Sequence, residues 1–114
     1  MAHEPVVQDY RQTLHASVVA TAEAVMAGKL GVVEAAHRFM ELAAELDALD
    51  DENFAYFIAL DSQSDGFPVG AAREHWNRAA LEREDLARRK YEESVQGEAV
   101  SHCQGLIDRY STQS

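Results

Sequence analysis

Glu34 and His37 stand three residues apart, the spacing at which one helix face can offer a carboxylate and an imidazole to the same metal ion. A two-metal site of that kind needs a second such motif and further glutamates from facing helices, and the sequence holds only one motif. Glu98 and His102, four apart near the C-terminus, are the groups that can complete a smaller site with His37 across a bundle. A small metal-dependent enzyme or metal carrier using Glu34, His37, Glu98 and His102 is therefore the alternative reading. Under the preferred one no cofactor or metal is expected, and both histidines are hydrogen-bonded residues at helix borders. Ser62 or Ser64 with His75 and an aspartate would supply the groups of a nucleophilic triad, but no Gly-x-Ser-x-Gly turn sets a serine at a strand-to-helix elbow. Cys103, the single cysteine, falls on an apolar stripe and is expected in the core. There is no glycine-rich phosphate loop, basic patch or dinucleotide fingerprint.

Charge is the more telling feature. Twenty acids against ten bases give a formal charge of −10, which argues against gripping a phosphate backbone and so against nucleic acid as a partner. From Phe39 to Ala72 there are eight acids and no lysine or arginine. Six of them, Glu41, Glu45, Asp47, Asp50, Asp51 and Glu52, are close enough in sequence to form either a solvated face that aids solubility or one docking surface for a basic protein. Glu45 and Asp47 also fall at the predicted end of a helix, where the dipole prefers cations, so their placement works against stability.

The elements that must position these groups are helices. Val7, Tyr10, Leu14, Val18, Thr21 and Val25 recur at helical spacing and predict a first helix over about residues 5–27, stopped by Gly28. Val32, Ala36, Phe39, Ala43 and Leu46, widened by Val33 and Met40, predict a second over 32–49. Asp50 is placed as the N-cap of a third, short helix through Leu60, with Asp51 and Glu52 in its first turn. Residues 61–70 are read as a loop, 71–76 as a helical turn, and 78–110 as a long final helix capped by Asn77. Its stripe is Ala80, Ala87, Tyr91, Val95, Ala99, Cys103, Leu106 and Tyr110, with Glu84–Arg88 and Asp85–Arg89 pairs outside and a bend or break allowed at Gly97. The expected fold is all-α: an up-and-down bundle of three long helices plus one or two short ones around a central loop, in a single domain spanning residues 1–114. No run reaches the ~20 apolar residues of a membrane span. The N-terminus lacks the pattern of a signal peptide, so a cytoplasmic location is expected.

The central loop forms a cluster of its own. Asp61, Ser62, Asp65, Arg73 and Trp76 are its polar and aromatic members: in a structural role Arg73 bonds Asp61 or Asp65 while Phe67 and Trp76 close the bundle end, and in a binding role the exposed arginine and aromatic side chains anchor an interface. The stretch from Phe57 to Trp76 resembles a motif of small uncharacterised bacterial helical proteins, Asp-Ser-Glu-Thr-Asp-x-x-Pro-x-Gly-x-x-Arg-x-x-Trp. It matches at Asp61, Ser62, Asp65, Pro68, Gly70, Arg73 and Trp76, and departs at Gln63 and Ser64. With Cys103 and Tyr110 the resemblance covers about half the chain. Proteins of that type are similar to the small immunity proteins of contact-dependent toxin systems, often acidic because many of their toxins are basic. The resemblance itself implies a bacterial helical domain of that type; together with the one-sided charge and the absence of catalytic groups it leads to the preferred reading, a non-enzymatic, immunity-type inhibitor covering a basic protein, a toxin in the most concrete case. A self-associating scaffold, in which the apolar seams of a homodimer complete one core, is a further alternative.

Overall fold

A computed structural model describes the backbone of residues 3–64 and 76–111, with side chains from residue 9 onward. Among the described residues the chain is all-helical: α1 (His3–Met26), α2 (Val32–Leu46), α3 (Glu52–Gln63) and α4 (Arg78–Ser111), with no strand. No described helix is long and apolar enough to cross a membrane.

Named contacts give the directions. Tyr10, early in α1, donates its hydroxyl to Glu45 near the end of α2 at 2.7 Å, so these two helices run antiparallel. Along α3, Asp51, Asn53 and Gln63 meet Arg109, His102 and Tyr91 of α4 in reverse order, so that pair is antiparallel as well. His15 of α1 lies 5.0 Å, ring to ring, from Tyr110 of α4. The core sits among all four helices. Phe39, Phe54, Phe57, Leu106, Val18, Val25, Val32 and Cys103 are its largest fully buried side chains. Phe39 is central, 4.6 Å from the Phe57 ring and 6.1 Å from Phe54. The apolar run from Phe54 to Leu60, which periodicity alone leaves ambiguous, is helical and buries Phe54, Phe57 and Leu60.

Two helices end on the same backbone device. Gly28, at φ 75°, follows α1, with its N–H bonded to the Val25 carbonyl and that of Lys29 to Ala24. Asp47, at φ 56°, follows α2, with its N–H bonded to Ala44 and that of Ala48 to Ala43. Both are Schellman turns, which need a left-handed residue just past the helix. Glycine adopts that conformation freely, whereas aspartate does so at a cost.

The start of α2 is capped from a distance. Gly31 has no side chain to cap with, and the Glu92 carboxylate of α4 accepts from the Val33 N–H at 2.9 Å in its place. A Cβ at Gly31 would stand 2.5 Å from Glu92 Oε2. Gly31→Ala is therefore expected to push the carboxylate off the helix end and lower stability by about 1 to 2 kcal/mol. Urea denaturation checks this, and an unchanged midpoint would mean that Glu92 does not hold α2.

Several details differ from the sequence reading. Helix α2 stops at Leu46 because Asp47 turns left-handed. Helix α3 continues through Asp61, Ser62 and Gln63, three residues read as loop, because Ser64 buries its hydroxyl against the Leu60 carbonyl in the last turn. Tyr10 is 54% exposed, its phenol drawn outward to Glu45. On α4 only Ala99, Cys103, Leu106 and Tyr110 of the expected stripe are buried, and Ala87 is exposed. The helix passes through Gly97 unbroken. Arg88 pairs with Asp85 and Glu92 rather than Glu84, since Glu92 faces the start of α2. Trp76 is 38% exposed beside the start of α4, not a buried plug.

Candidate functional site

The short connection from α2 to α3 carries Asp47, Asp50 and Asp51 and forms an acidic corner. Asp51 has the extended backbone of an N-cap, and its carboxylate accepts from Asn53 N–H at 2.8 Å and Phe54 N–H at 3.4 Å. Asp51, not Asp50, is therefore the cap of α3. Its second oxygen accepts from Arg109 at 2.6 Å, and the side chain is only 5% exposed. Both carboxylate oxygens are committed to the fold, which takes Asp51 out of the expected docking surface. Glu41, Glu45, Asp47, Asp50 and Glu52 remain exposed. Glu41 and Glu45 lie one turn apart on α2, and Glu45 holds Tyr10, whose pKa rises chiefly through that hydrogen bond.

A cleft of about 370 Å³ opens at this corner. Its walls are Arg11 and His15 from α1, Leu46, Asp47, Ala48, Asp50 and Asp51 from the corner, and Arg109 and Tyr110 from α4. Sequence reasoning missed the α1 and α4 contributions. Arg11 and His15 are four apart, hence on one helix face, and that spacing was the available signal. Burial lowers the pKa of His15, and the nearby Arg11 charge lowers it further. Its folded pKa being below the unfolded value, the unfolded chain binds more protons in that interval. Stability from this group is present above about pH 6.5 and is lost as pH falls below it. His15→Asn is expected to flatten the fall in melting temperature between about pH 7 and pH 5. A fall as steep as in wild type would assign the pH dependence to other groups.

The groups of the metal alternative are not brought together. Glu34 pairs with Arg38 at 3.0 Å, and His37 Nδ1 lies 3.4 Å from Asp61. His102 bonds Asn53 through Nδ1 at 2.9 Å and stacks on Tyr56 with ring centres 4.2 Å apart. Helix α3 partners the two histidines separately, and Glu98 is exposed. Among the described residues no group of three or more His, Cys, Asp or Glu side chains is placed to hold a metal ion. Cys103 is buried, which pushes its thiol up to about 12 and keeps it protonated at neutral pH.

Of the loop cluster, Asp61 and Ser62 lie in the last turns of α3, and Asp61 faces His37 rather than standing free. Asp65 and Arg73, with Phe67, Pro68, Gly70 and His75, lie outside the described residues, as does the expected Arg73 pairing.

An all-helical chain with a charged cleft where three of its helices and a tight turn converge is the class that fold and site define. Within that class, the chain belongs to the family described as protein of unknown function (DUF2489), which matches residues 2–106. No curated protein and no solved structure matches the sequence.

Proposed function

We propose that this protein is a non-enzymatic binding protein that covers a basic protein partner with the acidic corner, in the manner of an immunity-type inhibitor acting in the cytoplasm. In this reading the whole chain is a single up-and-down helical bundle. The observation that carries it is Asp47. A Schellman turn would be more stable with glycine there, as Gly28 supplies after α1, and the Asp47 charge also opposes the dipole at the end of α2. A residue that costs stability in two independent ways is accounted for by what its side chain meets. The carboxylates of Glu41, Glu45, Asp50 and Glu52 are exposed as well, an excess of negative charge that would steer a basic partner.

The test uses charge removal that respects the geometry. Asp47→Lys would force a long side chain into the left-handed region, so Asp47→Gly is the better variant, combined with Glu45→Gln, which keeps an acceptor for Tyr10. Asp47→Gly is expected to raise stability by up to about 1 kcal/mol. The double variant should retain the partner about tenfold more weakly in affinity capture from the native cell extract, and wild-type association should slow as salt rises. Equal retention by both proteins, or an acidic partner, would show the corner to be a solvated surface.

A further inference from the structure

The cleft at the corner is not uniformly acidic, and the commitments of its charged groups are uneven. Asp51 and Arg109 neutralise each other at 2.6 Å. Among the described residues Arg11 makes no ion pair, and the carboxylates of Asp47 and Asp50 accept no hydrogen bond. All three residues are exposed and line the same cleft. What remains open is one guanidinium on the α1 wall and two carboxylates on the α2–α3 wall, with Leu46, Ala48 and Tyr110 among the other lining residues. A guanidinium fork matches a carboxylate with two parallel hydrogen bonds, and paired carboxylates match a guanidinium or ammonium. The apolar members suit the methylene stem that joins such groups. At about 370 Å³ the cleft is near the small end of the range for ligand sites, roughly 300 to 1,000 Å³.

We propose that this cleft binds a basic α-amino acid, free or as the last residue of a polypeptide, with its carboxylate on Arg11 and its cationic side chain on Asp47 and Asp50. The proposal rests on the docking reading in using Asp47 and Asp50 as cation acceptors. It adds Arg11, which a purely acidic surface would leave unused or find unfavourable. Lysine and arginine both satisfy the pattern; an acidic amino acid does not, because it would set a second carboxylate against Asp47 and Asp50.

Calorimetric titration of the full-length protein with four probes tests it: L-arginine, L-argininamide, an N-acetylated tripeptide ending in arginine, and the amide of that tripeptide. Both free carboxylates are expected to bind about tenfold more tightly than their amides, the loss of one charge-assisted contact. Arg11→Gln should erase that difference, and Asp50→Asn should weaken all four probes. Circular dichroism of each variant confirms that the exposed substitutions leave the helices in place. Tighter binding of arginine than of the peptide identifies a free amino acid as the ligand, and the reverse order identifies a polypeptide C-terminus. Equal binding of acid and amide, or no binding of any probe, overturns the proposal even where charge-dependent capture of a basic protein succeeds. Selective arginine binding with no charge-dependent capture would overturn the docking surface and leave the cleft.

Discussion

Phe39→Ala is expected to remove about 3 to 5 kcal/mol of stability, more than any other substitution proposed for this protein. The ring is fully buried and packs at 4.6 Å from Phe57 and 6.1 Å from Phe54, so truncation loses both its transfer energy and two aromatic contacts. Phe54 in turn lies 5.7 Å from Tyr110, so the cavity would open where α2, α3 and the end of α4 meet. Against a typical total of about 5 to 15 kcal/mol, that loss is from roughly a fifth to all of the stability. Phe39→Leu keeps most of the volume and should cost about 1.5 kcal/mol or less. Chemical denaturation of both variants measures the difference. A loss below about 1 kcal/mol for the alanine variant would mean that the aromatic stack is not the centre of the core.

Asp51→Ala should cost about 2 to 3 kcal/mol, because it strips the cap from α3 and removes the Asp51 carboxylate from Arg109. The two contributions separate by substitution. Asp51→Asn retains an acceptor for the Asn53 and Phe54 N–H groups but turns an amide NH2 toward Arg109 in place of the second oxygen, for a cost of about 1 kcal/mol or less, since Arg109 is 57% exposed. Arg109→Ala should then cost less in the Asp51→Ala background than in wild type, since the Asp51 pair is already gone while the contact of Arg109 with the Tyr110 ring at 5.5 Å remains to be lost. If Asp50→Ala proved the more damaging substitution, the cap would belong one residue earlier.

The helices were legible where apolar residues recur at helical spacing over several turns. Leu14, Val18, Thr21 and Val25 of α1, and Val32, Ala36, Phe39, Ala43 and Leu46 of α2, are all buried as their periodicity requires. The stripe of α4 was legible only in its second half, because spacing shows which residues share a face and not how far along a long helix its neighbours extend. Helix ends were harder. Asp50 and Asp51 are chemically equal as caps, and it is the backbone turning through Ala48, with Arg109 arriving from α4, that selects Asp51. The site was half legible for the same reason. Its acids are neighbours in sequence, whereas Arg11, His15, Arg109 and Tyr110 reach the cleft only through tertiary packing.

Helix α4 holds the α2–α3 hairpin at the starts of both its helices, through Glu92 at α2 and Arg109 at α3. The two residues are 17 positions apart on one continuous helix, a fixed separation of about 25 Å along its axis. Helix α4 thus serves as a ruler against which the hairpin is measured. One residue inserted between Glu92 and Arg109 would lengthen that ruler by about 1.5 Å and rotate one mark by about 100° relative to the other, so both could no longer be met at once. Length changes in this stretch should be far less tolerated than substitutions on its exposed face.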